Sequence, residues 1–109
     1  MMRPKILIVE DEEAVRELVS ITLGSGQLYQ LFEAQDGKDG LDIALKERPD
    51  LVILDILMPG IDGFEVCKRL RAVPATTNVF IIMLTALAQE ADKELSLHSG
   101  ANAFFTKPF

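Results

Sequence analysis

The run Leu51-Val52-Ile53-Leu54 has no polar side. Four residues are too few for a buried helix, so the run reads as a strand covered on both faces. Three further apolar runs repeat the pattern: Ile6-Leu7-Ile8-Val9, Val79-Phe80-Ile81-Ile82-Met83-Leu84 and Ala103-Phe104-Phe105-Thr106. Between the runs, apolar residues return at helical spacing. Doubly covered strands alternating with helices specify βαβ units and a mostly parallel sheet. The 109 residues have room for one such domain, and a hydrophobic fraction of 49% can fill a two-sided core.

Ala14, Val15, Leu18, Val19 and Thr22 predict a first helix that ends near Gly24-Ser25-Gly26. Residues 29–34 carry a mixed pattern, with Tyr29, Leu31 and Glu33 on one side and Gln30, Phe32 and Ala34 on the other. That pattern suits an edge strand. Leu41, Ala44 and Leu45 mark a second helix closed by Pro49, and Phe64, Val66, Cys67 and Leu70 mark a third. A fourth, over about residues 89–99, is polar except for Ala88, Ala91 and Leu95, and Gly100 ends it. With five strands and right-handed crossovers, the economical fold is α/β: a flavodoxin-like, doubly wound parallel five-stranded sheet in the order 2-1-3-4-5. Strands 1 and 3 are then neighbours.

Four of the five strands end in chemistry. The first runs into Glu10-Asp11-Glu12, the third into Asp55, the fourth into Thr85, and the fifth into Lys107-Pro108. Open α/β sheets hold their sites at the carboxyl ends of their strands. Three carboxylates brought together there repel one another. A hard divalent cation relieves the conflict, and Mg²⁺ needs only one or two carboxylates beside waters and other oxygen ligands. The metal would also screen Asp55, so that a carboxylate oxygen could attack a phosphoryl donor and form an acyl phosphate. Thr85 and Lys107 could then position and neutralise the transferred oxygens.

Singly, these residues have ordinary readings. Acids at positions 10–13 suit a helix N-terminus, Asp55 a turn, and Lys107 a solvated amine. Their coincidence at the ends of successive strands is what argues for a site. His98 falls in the last turn of a helix, where its charge suits the dipole, and Cys67 reads as a core filler.

A net charge of −6 argues against direct nucleic-acid binding by this segment. No apolar stretch reaches the roughly 20 residues of a membrane span, and no signal peptide opens the chain. A single cysteine makes a reducing cytoplasm the simplest location.

Over nearly its whole length the chain resembles the receiver domains of two-component response regulators. The resemblance lies in Ile6-Leu7-Ile8-Val9-Glu10-Asp11-Glu12, in Leu54-Asp55-Ile56-Leu57-Met58-Pro59-Gly60-Ile61-Asp62-Gly63, in Leu84-Thr85-Ala86 and in Phe105-Thr106-Lys107-Pro108-Phe109. It implies that Asp55 is the phosphoacceptor, charged by a sensor histidine kinase, a phosphotransfer protein or a small phosphodonor. It implies Mg²⁺ bound by Asp11 directly, by Glu10 through water, by Asp55 and by the Leu57 carbonyl. Thr85 and Phe104 resemble the switch pair, the Ala86 amide a phosphate contact, Lys107 the bridge from phosphate to acids, and Lys107-Pro108 a cis bond. Glu10 stands where many relatives carry Asp. Leu57 and Leu87 flank the path of a hydrolysing water, which implies slow self-dephosphorylation.

The family's fifth helix would follow Phe109, so residues 1–109 read as a receiver truncated before it. The resemblance then implies an effector domain further on, or a homodimer formed through the uncovered face, with parts of strands 1, 3 and 5 open to water. Competing readings are weaker. An aspartyl-phosphate phosphohydrolase needs a proton donor two residues after its nucleophile, where this chain has Leu57. A flavin site needs a phosphate-cradling loop after strand 1, where this chain has Glu-Asp-Glu-Glu. A degenerate scaffold is disfavoured by intact Asp11, Asp55, Thr85 and Lys107.

Overall fold

The computed structural model describes residues 3–23, 28–86 and 90–106. Its elements are β1 (Lys5–Val9), α1 (Glu13–Leu23), β2 (Gln30–Ala34), α2 (Gly37–Glu47), β3 (Leu51–Asp55), α3 (Gly63–Ala72), β4 (Phe80–Thr85), α4 (Glu90–His98) and β5 (Ala103–Thr106). The strands form one parallel sheet in the order β2-β1-β3-β4-β5. The chain steps from β1 to β2 on one side and returns to β3 on the other. That reversal is the switch point of a doubly wound sheet.

Alternation along each strand supplies both faces with apolar residues. Leu7, Val9, Val52, Leu54, Ile81 and Met83 point one way and pack with Ala44 of α2 and with Val66, Cys67 and Leu70 of α3. Ile6, Ile8 and Ile53 point the other way and meet Val19 of α1, flanked by Val15 and Leu23. β2 is an edge strand, and of its five residues only Ala34 is buried. Asp36 and Asp62 begin α2 and α3 as caps, accepting from Asp39 N at 2.8 Å and from Glu65 N at 2.9 Å. Each such cap is worth about 1 kcal/mol.

Three expectations change. Leu45 does not enter the core but lies exposed beside the groove between α2 and α3, whose lining includes Leu41, Ile61 and Val73. On α4, Leu95 is exposed and Ser96 is the fully buried position, so the helix approaches its neighbours through a small side chain. Strands β1 and β3 are not open to water, because α1 covers Ile6, Ile8 and Ile53. The apolar exposure on the sheet lies further out, at Phe80 (48% exposed) and Phe105 (57%). The expectation of a helix after Phe109 concerns chain beyond the described residues. Among the described residues no helix is long and apolar enough to cross a membrane.

Candidate phosphoacceptor and metal site

Val9 of β1 pairs with Leu54 of β3, so the next residues, Glu10 and Asp55, lie side by side at the carboxyl end of the sheet. One carboxylate oxygen from each of Glu10, Asp11 and Asp55 lies within 4.8 Å of the others. Glu10 and Asp55 are only 2% and 4% exposed, whereas Asp11 is open to solvent.

The loop that carries the acids is held from several sides. Glu10 N donates to the Ala34 carbonyl at 3.0 Å, which ties the end of β1 to the end of β2. Glu10 Oε2 accepts from Glu12 N at 3.1 Å. Arg16, one turn into α1, donates from Nη1 to the Glu10 carbonyl at 2.7 Å, and its Nε stands 3.7 Å from Glu33 Oε1. Asp55 Oδ1 faces the Leu57 amide at 3.4 Å, a long contact. The chain after Asp55 folds back so that Gly63 N donates to the Ile56 carbonyl at 2.9 Å. Only glycine permits this approach, since a Cβ on Gly63 would meet the Asp55 carbonyl and stand 2.7 Å from Ile56 Cα.

Thr85 ends β4, one strand over from Asp55, and is fully buried. Ala86 follows it and is exposed. Phe104, on β5 opposite Met83, is partly buried against the larger core cluster. The Leu57 side chain is 55% exposed beside the acids. The structure thus brings Glu10, Asp11 and Asp55 together and sets Thr85 at the neighbouring strand end. Lys107, Pro108 and Leu87 lie outside the described residues.

Sequence reasoning passed over two supporting residues. Arg16 carried a signal, being the one basic residue in the acidic stretch 10–17. Gly63 stands in the sequence at the start of the third helix, and its closeness to Asp55 is a tertiary fact. Cys67, as expected, is buried. Burial pushes its thiol up to about 11, partly offset by the nearby Arg71 cation.

The donor set fits a hard divalent cation. All three side chains offer oxygen, they converge within 4.8 Å of one another, and exposed Asp11 leaves room for the waters that Mg²⁺ retains.

A parallel sheet with acids converging at its switch point and a buried hydroxyl one strand away defines a receiver-type signalling domain. The sequence matches the response regulator receiver domain family over residues 6–109, and the chain belongs to that family. It is 44% identical over 106 residues to the DNA-binding dual master transcriptional regulator RpaA of Synechocystis sp., covering 97% of this chain and 44% of RpaA. The chain spans less than half the length of that relative. Among solved structures, Vibrio cholerae chemotaxis protein CheY4 superposes with a TM-score of 0.90 at 34% identity, over 98% of this chain and 88% of that one. The manganese-bound form of response regulator Rcp1 superposes with a TM-score of 0.86 at 28% identity, over 96% of this chain and 81% of that one. The domain is a phosphorylation-activated switch of this family rather than a turnover enzyme.

Proposed function

We propose that Asp55 is the phosphoacceptor of this switch and that its reaction depends on Mg²⁺ held by Glu10, Asp11, Asp55 and the Leu57 carbonyl. The observation that carries the reading is the convergence of three carboxylate oxygens within 4.8 Å, one of them from nearly buried Asp55. That a structural neighbour, Rcp1, binds Mn²⁺ supports a divalent ion here. When bound, the ion offsets the negative charge that would otherwise keep a phosphoryl donor away.

An Asp55 carboxylate oxygen attacks phosphorus, and the bond from phosphorus to the donor's leaving group breaks as the acyl phosphate forms. Asp11 would hold the ion directly, and Glu10, already held by the Glu12 amide, would act through water. The Thr85 hydroxyl, the Ala86 amide and the Lys107 ammonium receive the phosphoryl oxygens. Thr85 moves toward the phosphate and the Phe104 ring follows into the vacated space, so that two states a few kcal/mol apart exchange populations. The donor is a sensor histidine kinase, a phosphotransfer protein or a small acyl phosphate in the cytoplasm, and an effector domain or a second copy of the chain receives the signal.

Intact mass after incubation with acetyl phosphate and Mg²⁺ tests this. One added phosphoryl group is expected, absent with a chelator and absent in Asp55→Asn. Labelling of the Asn variant contradicts the assignment. Thr85→Ala should still take the group but lose the response of β5.

A further inference from the structure

Arg71, in the last turn of α3, takes no part in the acidic site, yet its guanidinium joins three stretches of chain. Nε donates to the Gly100 carbonyl at 2.9 Å, Nη1 to the carbonyls of Thr77 and Val79, and Nη2 to Asn102 Oδ1 at 2.7 Å. Asn102 Oδ1 also accepts from the Ile81 amide at 2.8 Å, so the same oxygen reaches into β4. Gly100 has φ +107, and a Cβ there would stand 2.7 Å from Arg71 Cγ. A side chain at Gly100 would therefore be strained by its backbone and would also displace the arginine.

These contacts fix one end of α4. Gly100 N donates to the Leu97 carbonyl and Ala101 N to the Ser96 carbonyl, both at 3.0 Å, which closes the helix C-terminus. The Gly100 carbonyl then hands that closed end to Arg71. The other end of α4 is joined through residues 86–89 to Thr85, at the end of β4. A displacement of Thr85 therefore enters α4 at its N-terminal end, while its C-terminal end is tied to α3 and to the start of β4. The nine residues of α4 give a lever about 13 Å long.

We infer that Arg71 is a positioning residue, the fulcrum about which α4 tilts when Thr85 moves; the tilt rests on the reading of Thr85 given above, whereas the pinned end does not. A planar guanidinium makes the four bonds at once, and a lysine ammonium cannot reproduce the fork. The pin converts a local movement at the phosphoryl site into rotation of one helix end, where an untied helix would slide as a whole.

Amide hydrogen exchange followed by NMR separates the two parts of the claim. In the unmodified protein the Gly100, Ala101 and Asn102 amides should exchange on the order of tenfold or more faster in Arg71→Lys, as expected when charge-assisted hydrogen bonds are lost. Arg69→Lys, two residues away, should leave them unchanged. Asn102→Ala, which removes one arm of the pin, should give a smaller acceleration and serves if Arg71→Lys folds poorly. After treatment with acetyl phosphate and Mg²⁺, amide shifts should change at Lys93 and Glu94 and stay nearly fixed at Gly100, Ala101 and Asn102. Unchanged exchange in both variants, or equal phosphorylation shifts at the two ends of α4, overturns the inference. Intact mass on the same sample keeps the readings apart: a phosphorylated protein with no response in α4 sinks the lever alone. A protein that gains no mass sinks the phosphoacceptor reading, and the exchange data still decide the pin.

Discussion

Gly63 abuts the backbone of Asp55 so closely that a methyl group on the glycine would press into the Asp55 carbonyl oxygen. The opposing atoms are main chain and cannot swing aside. Gly63→Ala should therefore destabilise the domain by about 1–3 kcal/mol, the usual cost of overpacking. It should also displace the loop after Asp55 and slow phosphorylation. Urea unfolding and the rate of mass gain check both effects, and an Ala variant equal to wild type in each contradicts the packing argument.

Arg16 supports the acids without touching the phosphoryl group. Its 2.7 Å bond to the Glu10 carbonyl and its approach to Glu33 hold the β1–α1 loop. Arg16→Ala should weaken Mg²⁺ binding by roughly tenfold or more, as losing an outer support of a metal site usually does. The ion pair itself, with Glu33 half exposed, adds little to stability. Titration calorimetry with Mg²⁺ decides, and unchanged affinity would remove Arg16 from the site.

On the proposed mechanism Leu57 lengthens the lifetime of the acyl phosphate, since its side chain, 55% exposed two residues after Asp55, can neither orient nor donate to an attacking water. Leu57→Asn should shorten the half-life of the phosphorylated form, measured by the decay of intact mass. An unchanged half-life would show that Leu57 does not govern access.

Cys67 gives the pH prediction. Its thiol is raised from 9.0 to about 11, so the folded state holds the proton more tightly than the unfolded chain does. The stability linked to this group is present below about pH 9 and is lost as pH rises toward about 11. Cys67→Val should flatten that alkaline decline. Thiol reagents should leave the native protein unmodified at neutral pH, and rapid alkylation at pH 7 would contradict the buried, protonated state.

Strand positions were legible because doubly buried strands have no polar face, as Leu51-Val52-Ile53-Leu54 shows. The acids were legible because Glu10, Asp11 and Asp55 interrupt such runs where parallel strands end. What escaped depends on neighbours remote in sequence. Ser96 is buried and Leu95 exposed because of how closely α4 approaches what it packs on, which periodicity cannot report. Nothing in the sequence around Arg71 points to Gly100 and Asn102, and only the fold brings them to it. The cover that α1 gives to Ile6, Ile8 and Ile53 depends on the placement of one helix, so of the three strands expected to face water only β5 does, at Phe105, and β4 adds Phe80.

The most direct test of the central claim is to reduce the phosphorylated protein with borohydride, which converts an aspartyl phosphate to homoserine, and to locate the product by peptide mass mapping. The account predicts homoserine at residue 55 alone, in amounts that follow the mass gain and vanish when Mg²⁺ is chelated. Homoserine at residue 11 or elsewhere, or a stable phosphoryl mass with no homoserine at residue 55, would contradict it.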